Sequence, residues 1–426
     1  MLLEFEFKNW KSFRDENYIS SLSTREEQHN DRRAFIPKFK MNILPALGIF
    51  GGNASGKSNL IEALDFIRNL VVNYPSIETF IPLKRYSLDD ISCNSSSEFK
   101  IKFLVDEVIY SLYIELNDKK ILREKLELQN SSRRYTLYDR EENRILIGDK
   151  YKNHKSLSVI AKGTRSNRLF ISNTIDQQAN EFQKIYNWFK NIKILSADSF
   201  FRQDDLEIDK YLEALNEFIP SLDTGITEVI QRPVDIKNTG LPSEVLDHVL
   251  HNFEINEARS AIVSGNGVVV LVVKKDDDKH IKAHELATKH RTRTEEKEFS
   301  LRMESMGTLR AIELIPLFFE MCNKPSVVVI DEIDRSLHTN MIEGLIEYFL
   351  NHYSKESRSQ LIFTSHDTNL LNQDIFRRDE LWVVERNKYN ESNIFSIGDY
   401  KDIKKNHNLE KLYLEGRLGG IPNINI

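Results

Sequence analysis

Residues 51–58 read GGNASGKS, which fits the pattern G-x-x-x-x-G-K-[ST] of a phosphate-binding loop. The preceding residues 43–50 are mostly apolar and predict a buried strand, while residues 60–71 repeat apolar side chains at helical spacing. Glycines allow backbone N–H groups to wrap an anion, and the positive end of the helix dipole adds to the attraction. The sequence therefore predicts a strand, a phosphate loop and a helix in succession, which makes a chance glycine-rich turn a poor explanation.

The phosphate loop is expected to bind a nucleoside triphosphate together with Mg²⁺. The Lys57 ammonium group would reach the outer phosphates, and the Ser58 hydroxyl would ligate the metal ion. The residues expected to hold the nucleotide here are Asn53, Ala54, Ser55, Gly56, Lys57, Ser58 and Asn59.

A second apolar run, VVVI at residues 327–330, is followed by Asp331 and Glu332. Such a run predicts a buried strand whose tip lies beside the phosphate loop in a parallel sheet. Asp331 would hold Mg²⁺ through its water shell, and Glu332 would orient and polarise the attacking water. Taken alone, the two carboxylates would also fit an acidic strand end that caps the next helix. The phosphate loop favours the catalytic interpretation.

A third apolar run, LIFTS at residues 361–365, delivers His366 to the same edge of the sheet. His366 would contact the γ-phosphate there. A single histidine after a strand is more often a structural residue, so this assignment depends on the two strands described above.

Residues 304–308 read ESMGT and precede an apolar helix that we expect to begin at about Leu309. Ser305, Gly307 and Thr308 would form a second anion-binding helix N-terminus. The alternative is an ordinary helix cap. Because the chain already holds one phosphate-binding helix N-terminus, the second makes most sense if it completes the nucleotide site of another copy.

The whole sequence divides into four regions. Residues 1–84 carry an alternating first strand and the phosphate loop, and residues 85–160 contain short alternating runs separated by polar turns, which predict an antiparallel β-lobe. Residues 161–298 are expected to form a mainly helical insertion with one strand at 267–275, and residues 299–426 complete an α/β core. A sustained heptad pattern is missing, which argues against a long coiled-coil arm.

The composition is that of a globular protein, with 40% hydrophobic and 29% charged residues among 426. The formal charge of −6 excludes a polycation, and the local basic strip KHRTR at residues 289–293 is more typical of a solvated face than of a nucleic-acid contact. The two cysteines are too few for a disulfide framework, and no apolar run approaches the roughly 20 residues that span a bilayer. We therefore expect a cytoplasmic protein without a membrane partner.

Together with DRSLH at residues 334–338, these motifs resemble the ABC ATPase superfamily in its chromosome-maintenance-like branch. Their order and spacing look like the AAA-type ABC proteins of the OLD, RloA, AbiL-like and AriA group, which is associated with bacterial phage defence. The resemblance implies an ABC-type P-loop NTPase core that binds ATP and Mg²⁺ and hydrolyses ATP. It also implies that Ser305, Gly307 and Thr308 form the signature that meets the γ-phosphate of an opposing subunit, and that His366 is the switch histidine.

Some segments depart from this resemblance or extend it. Residues 336–338 read Ser-Leu-His where transporters carry Ala-Leu-Asp, and residues 81–90 contain no glutamine for the usual Q-loop. The stretch LYLEGRLGGIPNI at residues 412–424 looks like the end of the same group. In the turn at residues 9–13, where related ATPases bring a basic or aromatic side chain near the nucleotide, Lys11 is the candidate. A solvated turn lysine is the alternative.

The predicted function is that of a switch ATPase in which ATP brings two copies together head to tail, as a dimer or a higher oligomer. Its expected setting is anti-phage defence, with control of a separately encoded effector such as a TOPRIM-like nuclease, because the stretch after His366 is too short for a further nuclease domain. The alternative is a DNA-binding or DNA-repair ATPase, which leaves nucleic acid open as a partner. A transporter ATPase is least favoured, because the signature lies far from the phosphate loop and residues 336–338 differ.

Overall fold

The computed structural model describes residues 1–72, 80–131, 133–196, 201–204, 208–222, 224–239, 241–254, 260–265, 268–274, 281–404 and 407–421. The chain forms two compact units. The first, called the core unit here, consists of Met1–Ile194, Lys324–Ile333 and Leu350–Ile426. The second, called the insertion unit, consists of Leu195–Asn323 and Asp334–Phe349.

Strands occur in both units. In chain order they are β1 (Leu2–Lys8), β2 (Asn17–Ser20), β3 (Ala34–Ile36), β4 (Met41–Ile43), β5 (Ala46–Phe50), β6 (Ser97–Val105), β7 (Val108–Leu116), β8 (Ile121–Asn130), β9 (Arg133–Glu141), β10 (Arg144–Ile147), β11 (Ile192–Leu195), β12 (Phe201–Asp204), β13 (Ile226–Val234), β14 (Ser260–Gly265), β15 (Val268–Lys274), β16 (Ile281–Arg291), β17 (Glu296–Ser300), β18 (Val327–Ile330), β19 (Gln360–Ser365), β20 (Leu381–Arg386) and β21 (Ser392–Ser396).

Helices alternate with these strands, so the predicted α/β class is confirmed. They are α1 (Lys57–Val72), α2 (Asp90–Asn94), α3 (Lys155–Gly163), α4 (Phe170–Asp176), α5 (Gln183–Lys190), α6 (Ile208–Phe218), α7 (Ser243–Glu254), α8 (Met306–Asn323), α9 (Thr339–Asn351) and α10 (Leu409–Leu414). Across the described ranges, no helix combines the length and the apolar character that crossing a membrane requires.

The central sheet of the core unit has the strand order β11-β18-β19-β5-β20-β21. β19 pairs in parallel with β18 on one side and with β5 on the other, β20 is parallel to β5, and β21 returns antiparallel. The four residues of β18 and all residues of β5 and β19 are buried. Continuous apolar runs of this kind are typical of parallel strands covered on both faces.

Helix α1 fixes the position of the loop that precedes it. Its buried side chains include Leu60, Leu64, Ile67 and Val71, which recur at the spacing of one helix face and join the main apolar cluster of the core unit. Full burial of each such side chain contributes about 1.5–3 kcal/mol. The start of α1 is therefore anchored by apolar packing along its length.

The second sheet of the core unit is antiparallel, with the strand order β10-β9-β8-β7-β6-β1-β2. It contains the β-lobe predicted for residues 85–160. The structure adds β1 and β2 to this lobe, whereas the sequence pattern assigns residues 1–84 to the nucleotide-binding core. The pairing of Phe5 with Ile101 and of Phe7 with Phe99 joins the chain start to β6, and such distant pairing leaves no local signal.

The insertion unit differs from the mainly helical region predicted for residues 161–298. It contains α6 and α7, but also an antiparallel sheet of order β12-β14-β15-β16-β13 with β17 paired to β16. The predicted strand at 267–275 corresponds to β15, while residues 267 and 275 lie outside the described ranges. The sequence pattern misses β13 and β16 because charged residues interrupt their alternation; in the fold they pair, as in the Lys289–Glu228 contact.

The outer boundaries of this region also differ. α4, α5 and most of β11 belong to the core unit, and β11 extends its central sheet. α8 and most of α9 belong to the insertion unit, whereas the sequence pattern places residues 299–426 in the nucleotide-binding core. Each unit is built from more than one segment of the chain. The chain leaves and re-enters the central sheet more often than the sequence alone indicates.

A fully buried ion pair organises the packing of helices on the β-lobe. Glu124 of β8 accepts hydrogen bonds from the backbone N–H groups of Phe170 and Ile171 at 2.7 and 3.2 Å and from the Tyr138 hydroxyl at 2.7 Å. Arg140 lies 3.5 Å from the same carboxylate, and neither side chain is exposed. Burial and the adjacent Glu124 charge raise the pKa of Tyr138 well above its ordinary value, so its hydroxyl keeps the proton that it donates.

Replacement of Glu124 by alanine is expected to lower the free energy of unfolding by about 3–5 kcal/mol, because Arg140 would remain buried without its partner. Urea unfolding followed by far-UV circular dichroism measures this change. Glu127→Ala on the same strand is the matched control; it removes a partly exposed pair with Lys125 and should cost at most about 1 kcal/mol. Equal effects of the two substitutions would contradict the assigned role of Glu124.

Candidate functional site

The phosphate loop connects β5 to α1 and is shaped by two glycines with positive φ. Gly51 has a φ of 153° and Gly56 a φ of 116°, values that residues with a Cβ rarely adopt. A Cβ at Gly51 would lie 2.4 Å from the Val384 carbonyl oxygen. A Cβ at Gly56 would lie 2.6 Å from Ser392 Oγ and 2.8 Å from Ser12 Oγ. The fold therefore requires glycine at both ends of the loop.

Lys57 is buried at the first position of α1, and its ammonium group lies within the loop. Nζ donates to the carbonyl oxygens of Gly51 at 2.7 Å and Gly52 at 3.1 Å, and it lies 3.2 Å from Nδ1 of His366. An ammonium group has no lone pair, so in this hydrogen bond His366 Nδ1 is the acceptor, which assigns the proton of a neutral ring to Nε2.

The loop and the first turn of α1 supply donors for an anion. The first N–H groups of a helix have no intrahelical partner, and their dipoles add up to a partial positive charge. Ser55 Oγ is buried, and within the described residues it has no hydrogen-bond partner. Such an orphaned hydroxyl is costly unless a ligand satisfies it. The residues present therefore fit a bound phosphate group.

The phosphate loop and the two carboxylates leave the central sheet at the same edge, as predicted, but not from adjacent strands. β19 lies between β5 and β18, with Ser365 opposite Phe50 and Phe363 opposite Ile330. The strand that delivers His366 is thus the one that separates the loop from Asp331. This order places the histidine between the other two groups.

Glu332 and His366 meet at this edge. Glu332 Oε1 lies 3.8 Å from His366 Nε2, and both side chains are about one-third exposed. Glu332 has a φ of 52°, a left-handed conformation that is uncommon for residues other than glycine. The structure therefore brings Lys57, His366 and Glu332 together in one contiguous set of contacts.

The predicted metal ligands have chemistry that suits Mg²⁺. This ion prefers oxygen ligands and usually keeps several waters, with one or two protein ligands and phosphate oxygens completing the shell. Ser58 offers a hydroxyl, and Asp331 offers a buried carboxylate at the end of β18. Within the described ranges, this site included, no group of three or more His, Cys, Asp or Glu side chains could hold a metal ion.

Two serines that sequence reasoning missed support the loop from behind. Ser392 of β21 donates to the Ser55 carbonyl oxygen, and its Oγ lies 2.8 Å from Ser12 Oγ. Asn59, which the sequence predicts to contact the nucleotide, instead donates its amide to Ser12 Oγ at 2.8 Å. In the sequence, only the position of Ser12 directly after Lys11 could have drawn attention to this contact.

The closing stretch of the chain forms another part of the loop's surroundings. The Gly52 N–H donates to the Gly420 carbonyl oxygen at 2.8 Å, and the Tyr413 hydroxyl donates to the same oxygen at 3.0 Å. The sequence alone indicates only a family-like tail here. Through these contacts the stretch supports the phosphate loop.

Lys11 lies in the predicted turn, with a φ of 48°. Its ammonium group forms an ion pair with Glu62 of α1, and the backbone N–H of Lys11 donates to the Lys84 carbonyl oxygen at 2.8 Å. Lys11 thus contacts the helix that follows the phosphate loop, one turn beyond Ser58. Its contact with a nucleotide remains a prediction.

The signature residues lie in the insertion unit, at the start of α8. The helix begins at Met306 rather than at about Leu309, because Ser305 caps it: Ser305 Oγ accepts from the Thr308 N–H at 3.1 Å and lies 2.9 Å from Thr308 Oγ1. A Cβ at Gly307 would lie 2.7 Å from the Ser336 carbonyl oxygen. Gly307 is thus required for the close approach of residues 336–338.

Comparison with known proteins adds a family match. The family described as "AAA domain, putative AbiEii toxin, Type IV TA system" matches residues 47–372, which include the phosphate loop, both carboxylates and His366. The curated proteins gave no match.

Two SMC heads are among the solved structures that match this chain. An SMC head domain from Thermotoga maritima is 15% identical, with 93% of this chain and 98% of that chain covered and a TM-score of 0.36. An SMC head solved with the C-winged helix domain of ScpA is 13% identical, with 93% of this chain and 97% of that chain covered and a TM-score of 0.40.

Gly56→Ala is expected to weaken the binding of a fluorescent ATP analogue about 10-fold or more. A Cβ in a left-handed conformation costs about 1–2 kcal/mol, each 1.4 kcal/mol is a factor of ten in affinity, and the contacts with Ser392 and Ser12 add to this cost. Gly344→Ala in α9, where a new Cβ meets nothing within 4 Å, is the matched control. Wild-type affinity in the Gly56 variant would show that the nucleotide binds elsewhere.

Proposed function

Because the chain belongs to the family described as AAA domain, putative AbiEii toxin, Type IV TA system, we propose that it is an ATP-hydrolysing switch in which two copies close over two nucleotides. The observation that carries this proposal is the chain of contacts from Lys57 through His366 to Glu332. It joins a phosphate-binding group to a carboxylate at the edge of one parallel sheet. Phosphoryl transfer needs such positioned charge rather than a covalent intermediate.

Each residue of the site has a distinct role in this proposal. Lys57 binds the outer phosphates, and Glu332 orients the attacking water and accepts its proton. His366, with its proton on Nε2, donates toward the γ-phosphate. Ser58 and Asp331 would hold Mg²⁺, which supplies charge neutralisation at the phosphates when it is bound with ATP.

The signature at the start of α8 is proposed to serve the nucleotide of a second copy. Ser305 is exposed, as are Met303 at 69% and Met306 at 62%. Exposed methionines around a capped N-terminus of an 18-residue helix are suited to a surface that another subunit covers. Ser305, Gly307 and Thr308 would then meet the γ-phosphate held by the opposing phosphate loop, in a head-to-tail dimer or a higher oligomer.

The biological role that we propose is anti-phage defence in the bacterial cytoplasm, through a separately encoded effector such as a TOPRIM-like nuclease. The description of the matched family names both a toxin and a system to which the toxin belongs. This supports a chain that works together with another gene product. The resemblance to the OLD and AriA group supports the same role.

The alternative is a DNA-binding or DNA-repair ATPase, and the basic strip at residues 289–293 is its main support in the sequence. In the structure, Lys289 forms an ion pair with Glu228, and His290 lies 2.7 Å from Glu304. These acidic partners reduce the positive charge that the strip offers to a phosphate backbone. The first proposal is therefore favoured.

Glu332→Gln is expected to lower the turnover number for ATP about 100-fold or more, because it removes the general base, while ATP still binds. Light scattering should then show that ATP and Mg²⁺ shift the variant from the mass of one 49.8 kDa chain to that of two or more.

Lys57→Ala should lose both ATP binding and the mass shift. Glu356→Gln, at an exposed position, is the control and should behave as the wild type. A Glu332→Gln monomer that ignores ATP would contradict the two-site mechanism.

Expression of Glu332→Gln together with the neighbouring gene product tests the proposed role. We expect the ATP-bound oligomer to retain that product through gel filtration, and the Lys57→Ala variant to release it. Strong duplex DNA binding that falls steeply with added salt, without a retained protein, would favour the alternative function.

A further inference from the structure

Thr364 occupies an unusual place in the central sheet. It follows the apolar residues Leu361, Ile362 and Phe363 on β19, directly before Ser365, and it is fully buried. A buried hydroxyl is costly unless its hydrogen bonds are made. Valine has nearly the same shape and would suit a strand whose role is only packing.

The Thr364 hydroxyl makes two hydrogen bonds, and both reach the tip of β18. Oγ1 donates to Asp331 Oδ1 at 2.5 Å and accepts from the Glu332 N–H at 2.8 Å. In addition, the Thr364 carbonyl oxygen accepts from the Ile333 N–H at 3.0 Å. One residue therefore contacts three successive positions of the neighbouring strand end.

The donated bond fixes the carboxylate that is proposed to hold Mg²⁺. A hydroxyl has a single proton, and here it goes to Asp331 Oδ1 at a distance typical of a charge-assisted bond. Since the Asp331 side chain is buried, this bond sets which oxygen remains available to a metal-bound water. Outer-shell partners of this kind commonly tune metal affinity.

The accepted bond holds the backbone of Glu332 in its left-handed conformation, with a φ of 52°. This conformation is unfavourable for a residue with a side chain unless the surroundings stabilise it. It turns the chain at the strand end so that the Glu332 carboxylate lies 3.8 Å from His366. The same hydroxyl thus orients both acidic groups.

We propose that Thr364 is a positioning residue, whose hydroxyl sets the Asp331 carboxylate for Mg²⁺ and the Glu332 carboxylate for the attacking water. This inference rests on the proposed ATPase function and extends it to a residue that contacts neither nucleotide nor metal. The hydroxyl, rather than the shape of the side chain, is the part that matters.

Thr364→Val, which keeps the shape and removes both hydrogen bonds, tests the inference against Thr364→Ser, which keeps both. The first readout is the ratio of the dissociation constants for a fluorescent ATP analogue measured in EDTA and in Mg²⁺, which does not depend on hydrolysis. We expect the valine variant to bind the analogue normally in EDTA. Its gain in affinity from Mg²⁺ should be about 10–100-fold smaller than that of the wild type. Serine should restore the wild-type ratio.

The second readout is steady-state hydrolysis, where the valine variant should show a lower turnover number, a higher Mg²⁺ requirement and a KM for ATP that rises together with the dissociation constant measured in Mg²⁺. In an Asp331→Asn background, Thr364→Val should cause little further change in the Mg²⁺ ratio, because the two residues act through one contact. Thr364→Ala serves as the second variant if the valine protein does not fold.

The outcomes separate this inference from the function on which it rests. A folded valine variant with the wild-type Mg²⁺ ratio would overturn the role of Thr364 and leave the ATPase proposal intact. A wild-type protein that gains no affinity from Mg²⁺ and hydrolyses no ATP would overturn the proposed function itself. A loss of thermal stability with an unchanged Mg²⁺ ratio would mean that Thr364 is only structural.

Discussion

The parallel pairing of β19 with β18 on one side and with β5 on the other is the constraint on which the site depends. It brings the carboxyl ends of three strands to one edge, where the phosphate loop, the acidic pair and the histidine leave the sheet. Parallel neighbours cannot be joined by tight turns and need long connections. Those connections contain the β-lobe and the insertion unit. Both therefore lie in chain segments that the parallel pairing requires.

Charge is concentrated at this edge, and neighbouring groups compensate it. The Lys57 ammonium is held by two loop carbonyls, and the Asp331 carboxylate receives the Thr364 hydroxyl. Buried charges are tolerated in proteins only when such partners are present. The loop itself is held by Ser392 and by the Gly420 carbonyl oxygen, so segments far apart in the chain share the task of keeping the site in shape.

The parts of the structure that sequence reasoning recovered are those with a local signal. The phosphate loop has fixed spacing, and the apolar runs before Asp331 and His366 indicate strands that deliver these side chains to the sheet edge. The parts that it missed depend on distant contacts: β1 and β2 join the β-lobe, and β13 and β16 form a charged sheet in a region whose pattern favours helices. Asn59 is a further residue that the sequence did not place correctly. It follows Ser58 directly, but its side-chain amide donates to Ser12 Oγ. Neighbours in sequence do not reveal which groups a fold brings from elsewhere.

The strand order also has a consequence for synthesis of the chain. The Leu2 N–H bonds to the Gln360 side chain across 358 positions, and at about 5–20 residues per second the ribosome needs roughly 20–70 s to make that span. Strands β6 to β10 pair with their immediate successors and can form a lobe early. β5, fully apolar, waits for β19 and β20 with both edges unpaired, a state that favours aggregation. We therefore expect the incomplete chain to be more prone to aggregation than the finished fold, in which both edges of β5 are paired.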